Sequence, residues 1–122
     1  MIDRDDWKLG EDIVTNLFPS GAMRDMQNPN NGATADGQIG WQPKDMTEFY
    51  TGEQDNGGVH INSGIVNKAY YLIATDIGKE KAEQIYYRAL DNYLTVSSQF
   101  IDLRLAVIKS ATNFSTHLFV LE

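Results

Sequence analysis

In the second half of the chain, apolar residues recur at the three- and four-residue spacing that turns one face of a helix toward a core. Ile65, Val66, Ala69, Leu72 and Ile73 predict a first helix, with Asn62 or Ser63 as its cap. Asp76-Ile77-Gly78 ends it. Ala82, Ile85, Tyr86, Ala89, Leu90 and Tyr93 predict a second helix from near Lys79, with Lys79, Lys81, Glu83 and Arg88 on its wetter side. Beyond Thr95-Val96-Ser97-Ser98, the positions Phe100, Leu103, Ala106, Val107, Ser110 and Ala111 predict a third, capped by Ser97 or Ser98. Tyr70, Tyr71, Tyr86, Tyr87 and Tyr93 read as packing rather than as a ligand cage. Residues 114–122 are apolar but short, a frayed end or a piece of a further helix.

The first half lacks any such repeat. Pro19, Gly21, Asn28-Pro29-Asn30-Asn31-Gly32, Asp36-Gly37, Gly40 and Pro43 leave little room for long elements. One short helical turn is expected at Gly21-Ala22-Met23-Arg24-Asp25-Met26. Trp41, Phe49 and Tyr50 read as apolar pegs that pin this segment, since a loop this long is uncommon without them. The expected fold is mainly α, a loop-rich first half followed by about three packed helices. At 122 residues, 1–122 suits a single domain.

Composition narrows the partners. A net charge of -7 disfavours nucleic acid and anionic membrane surfaces, which select basic patches. Without cysteine, neither a disulfide framework nor a thiolate zinc site can form. The charged start, Met1-Ile2-Asp3-Arg4-Asp5-Asp6-Trp7, has no signal-peptide core. No apolar run approaches the ~20 residues of a membrane span.

Candidate chemistry concentrates in Gln54-Asp55-Asn56-Gly57-Gly58-Val59-His60-Ile61-Asn62-Ser63-Gly64, at the join between the halves. A glycine turn there can set the Asp55 carboxylate against one ring nitrogen of His60 and leave the other facing outward. The plainer reading is a turn that precedes a helix. Asp3, Asp5, Asp6, Glu11 and Asp12 are too irregular for a helix-loop-helix calcium loop, and read as a solvated acidic edge or a loose calcium site. His117 has no partner at metal-ligand spacing, and Asn113-Phe114-Ser115 matches the glycosylation pattern, a three-residue pattern that also arises by chance and that nothing else in the sequence supports.

An ordered set of motifs sharpens this. Asp6-Trp7-Lys8-Leu9-Gly10-Glu11-Asp12, Met23-Arg24-Asp25-Met26-Gln27-Asn28-Pro29, Asp55 through Ile65, Asn67-Lys68-Ala69 and Tyr87-Arg88-Ala89-Leu90 follow one another across residues 5–113. Together they resemble the C-terminal domain of the thermolysin-like neutral zinc metalloendopeptidases. The resemblance implies peptide-bond hydrolysis by a zinc-bound water. It implies that His60 hydrogen-bonds the developing oxyanion, that Asp55 orients His60, and that Arg24 binds a substrate carbonyl beyond the scissile bond. It also implies secretion, a peptide or protein substrate, and structural calcium at Asp6 and Glu11.

The sequence also departs from the family. It has only two histidines, His60 and His117, and no His-Glu pair, so the zinc ligands and general base of an H-E-x-x-H helix are missing. The chain therefore reads as the C-terminal piece of a longer enzyme, without its N-terminal zinc-binding half and inactive alone. Lys8 stands where many members have an acid, which weakens calcium binding by charge repulsion. The chain stops where the family usually adds a last helix, so bare apolar surface is expected to favour self-association. The alternative is a non-catalytic binding module that keeps the fold.

Overall fold

Among the described residues, two short strands and three long helices follow in the order β1 (Lys8–Leu9), β2 (Arg24–Asp25), α1 (Gln54–Ile77), α2 (Lys79–Asn92) and α3 (Phe100–Leu121), with 3-10 turns at Pro29–Gly32 and Met46–Glu48 between β2 and α1. This computed structural model describes residues 6–14, 18, 21–32 and 40–121, of which 115–121 by backbone alone. Asp3, Asp5, Pro19, Asp36-Gly37 and the His117 side chain, all named above, lie outside the described residues. The architecture is mainly α, as the helical spacing predicts. By its contacts the chain divides into two units, Met1–Leu72 and Ile73–Glu122.

In the first unit, β1 and β2 pair antiparallel with Lys8 opposite Asp25 and Leu9 opposite Arg24. Met23 N–H to Leu9 C=O (2.9 Å) and Met26 N–H to Trp7 C=O (2.8 Å) bracket the pair. The expected helical turn over 21–26 is thus replaced by a strand, because these backbone groups find partners across the chain rather than within it. The buried Asp25 carboxylate then accepts the N–H groups of Gln27 (2.9 Å) and Asn28 (3.0 Å), folding the chain into a 3-10 turn over Pro29–Gly32. Trp7 meets Tyr71 edge-on with centroids 5.0 Å apart, and Tyr70 at 6.2 Å. Lys68 lies 4.9 Å over the Tyr71 ring and donates to the Gln27 carbonyl (2.7 Å). Tyr50 and Trp41 are half-buried as pegs should be, whereas Phe49 is exposed.

The cap of α1 differs from expectation. Asp55 carries it, and Asn62 and Ser63 lie inside the helix. Asn62 is buried and uses its amide as a two-point clip, accepting from Tyr50 N–H (2.9 Å) and donating to Tyr50 C=O (3.0 Å). Ser63 donates to His60 C=O (2.6 Å). Glycine and amide positions therefore face the loop, and of the apolar positions Ala69 and Leu72 are exposed. Gly78, at φ 96°, ends α1.

The second unit is built on small residues. Ala82, Ile85 and Ala89 of α2 are buried, as are Ala106 and Ser110 of α3. Their short side chains let two helix backbones approach closely, and the Ser110 hydroxyl crosses the gap to donate to Ile85 C=O at 2.7 Å. Asn113 donates to the Tyr93 hydroxyl at 2.7 Å, and Lys109 sits 4.7 Å over the same ring. Leu90, expected on the inner side, is 64% exposed, one position round from the Ala82–Ala89 stripe. Neither Ser97 nor Ser98 caps α3. Gln99 does so: its C=O accepts from Leu103 N–H (3.1 Å), and its N–H donates to the Asp102 carboxylate (2.8 Å). Ser98 instead closes the preceding turn by accepting from Thr95 N–H (2.8 Å). Residues 114–121 continue α3.

Candidate active site

The site begins with a left-handed turn. Asp55 (φ 56°, ψ 42°), Asn56 (50°, 45°), Gly57 (81°, 24°) and Gly58 (81°, 30°) all lie in the left-handed region before α1 takes its right-handed course. Four consecutive residues of this kind are costly for side chains bearing a Cβ, and Asp, Asn and Gly are the types that bear it best. Gly58 has a second reason to be glycine. A Cβ there would lie 2.6 Å from Tyr50 Cδ1 and 2.9 Å from the Asn62 amide nitrogen. The Tyr50–Asn62 clip thus holds the turn against α1.

The turn brings Asp55 back over the first residues of the right-handed helix. One carboxylate oxygen accepts the backbone N–H groups of His60 (2.6 Å) and Ile61 (2.9 Å). The other lies 2.7 Å from His60 Nδ1. Asp55 is therefore both helix cap and histidine partner, and its negative charge suits the positive end of the helix dipole. The His60 hydrogen bonds hold its carboxyl below the ordinary 3.8, chiefly the bond to the ring, followed by the Ile61 and His60 N–H groups. The His60 side chain is 77% exposed, so with Nδ1 engaged Nε2 is the nitrogen offered to solvent. When both ring nitrogens are protonated, Nδ1–H donates to Asp55 and Nε2–H is a donor aimed outward.

Arg24 stands elsewhere in the same unit, half-buried on β2, with Nη1 donating to Met23 C=O at 2.8 Å. It makes no hydrogen bond to Asp55 or His60. Asp6 is exposed and accepts from Lys8 N–H at 3.3 Å, and Glu11 is half-buried in the turn after Gly10. Among the described residues no group of three or more His, Cys, Asp or Glu side chains could hold a metal ion. The structure adds residues that the sequence did not single out for the site. Gln42, Tyr50, Asn62 and Ser63 make the hydrogen bonds around the turn, and single amides and hydroxyls, whether in the loop or on the helix, carry no periodic signal that marks them.

A strand-paired loop half, three helices and a carboxylate-held histidine at the start of the first are the features that the comparisons with known proteins place in one class. The profile described as "Thermolysin metallopeptidase, alpha-helical domain" matches residues 1–118, and the chain belongs to that family. It is 44% identical over 123 residues to bacillolysin of Brevibacillus brevis, covering 93% of this chain and 22% of that protein. It is 44% identical over 110 residues to an extracellular elastase of Staphylococcus epidermidis, covering 90% and 20%. The precursor of protealysin, a metalloproteinase from Serratia proteamaculans, matches in structure with a TM-score of 0.76 and 35% identity, over 91% of this chain and 36% of that one. The chain spans about a fifth of the length of these curated relatives.

Proposed function

We propose that the chain is the C-terminal domain of a secreted metalloendopeptidase that hydrolyses peptide bonds, and that His60 is its oxyanion donor. The carrying observation is the Asp55 carboxylate, which fixes both the backbone and the ring of His60 and leaves Nε2 exposed. A donor held this way needs no reorganisation when negative charge grows on the attacked carbonyl oxygen. Arg24 binds a substrate carbonyl beyond the scissile bond. Zinc, held outside this chain, supplies the activated water when bound. The name of the staphylococcal relative, an extracellular elastase, supports secretion. Residues 1–122 act as one domain that docks on a zinc-binding half, and the 122-residue chain alone is inactive.

Cleavage of a peptide with a large apolar residue after the scissile bond tests this, comparing the full-length protein with the 122-residue chain. Chelator-sensitive cleavage by the full-length protein alone is expected. Activity indifferent to chelator would contradict the reading, and a full-length protein without cleavage would favour a binding module.

A further inference from the structure

The left-handed turn explains how the His60 ring is held, but not what fixes His60 relative to Arg24, which lies on β2. One buried amide touches the supports of both. Gln42 is 2% exposed. Its Nε2 donates to the His60 carbonyl and to Ser63 Oγ (3.0 Å), and Ser63 itself donates to that same carbonyl (2.6 Å). An amide nitrogen has two protons, and here each has an acceptor on the first turn of α1. The backbone of Gln42 faces the other way. Its N–H donates to Pro29 C=O (3.3 Å) and its C=O accepts from Asn30 Nδ2 (2.8 Å). That 3-10 turn is held in place by Asp25, the neighbour of Arg24, through Gln27, Asn28 and the Asn31 amide (3.4 Å).

We propose that Gln42 is a positioning residue that registers the His60 carbonyl against the turn carrying Arg24, so that the oxyanion donor and the substrate clamp hold one spacing. Gly64 supports the same assignment. A Cβ there would lie 2.6 Å from both Gln42 Cβ and Pro43 O, so α1 reaches this closeness only because residue 64 is glycine. The inference rests on the roles given to His60 and Arg24 above.

Its test separates the two ideas. In the full-length peptidase, His60→Ala should lower kcat and Arg24→Ala should raise KM. Gln42→Met, which keeps the bulk but donates nothing, should do both, with kcat falling roughly tenfold. Gln42→Glu, which keeps the shape and replaces the donor by an acceptor, should be no better. All are assayed at a temperature where melting curves show the variants folded. In the 122-residue chain, the ring nitrogen signals of His60 should differ between the wild type and Gln42→Met, because the ring follows the backbone that the amide holds by the His60 carbonyl. Unchanged kcat, unchanged KM or unchanged ring signals in a folded Gln42 variant would overturn the proposal. If neither Gln42 variant folds, Ser63→Ala removes one acceptor of the same amide. It should lower kcat and raise KM in the same direction, and wild-type values there would overturn the tie. If the wild type cleaves no peptide, the function is wrong while the ring signals still decide the role of Gln42.

Discussion

Asp55 adopts a backbone conformation that few residues tolerate, and the hydrogen bonds it gains at His60 and Ile61 account for its presence there. Its lowered pKa has a direct consequence for stability. The folded chain holds this proton less readily than the unfolded chain, so the stabilisation is present above about pH 4 and is lost as pH falls through the folded value. Asp45, lowered mainly by the Thr47 hydroxyl, adds a second contribution of the same sign. Melting temperature followed from pH 7 downward should therefore drop on the acid side, and Asp55→Asn should flatten that drop without abolishing it. Gly58→Ala should destabilise by more than about 1 kcal/mol in urea titration, since it adds a Cβ at φ 81° against Tyr50. The pairing of Asp55 with His60 was legible in the sequence, because the two stand five positions apart across a glycine turn that brings them together. The left-handed path was not. It depends on Tyr50 and Asn62, whose meeting is a tertiary event.

At the scale of elements, the three helices follow from apolar spacing, and their faces follow less evenly. The α3 positions Phe100, Leu103, Ala106, Val107, Ser110 and Ala111 are all buried or half-buried, as the repeat predicts. Caps were harder to read. Asn62 and Ser98 are good capping types, yet each is engaged by a loop group, Tyr50 or Thr95, that lies outside a helical window. The first half shows the same limit: Arg24 and Asp25 pair with β1, a partner some fifteen residues away that local pattern does not encode. Packing gives a sharp prediction here. Ser110→Ala removes a buried donor and leaves Ile85 C=O with one partner fewer, which should cost about 1 kcal/mol in urea unfolding. Ala89→Leu places bulk where α2 has no room and should cost about 1–3 kcal/mol. Equal stability of both variants with the wild type would show that the α2–α3 contact is looser than described.

At the scale of the molecule, family membership explains the motif order, while the chain spans about a fifth of its curated relatives. Among the described residues no helix is long and apolar enough to cross a membrane. Ile101, Leu105 and Ile108 nevertheless form an exposed row at helical spacing on α3. The 122-residue chain is expected to self-associate through such surface, and light scattering across a concentration series should show mass rising above the monomer. A constant monomer mass would refute that. The central claim concerns His60, and kinetics of the full-length peptidase test it most directly. With His60→Ala, kcat should fall on the order of a hundredfold to a thousandfold while KM changes little, the mark of an interaction made in the transition state. A His60→Ala enzyme with wild-type kcat would contradict the account.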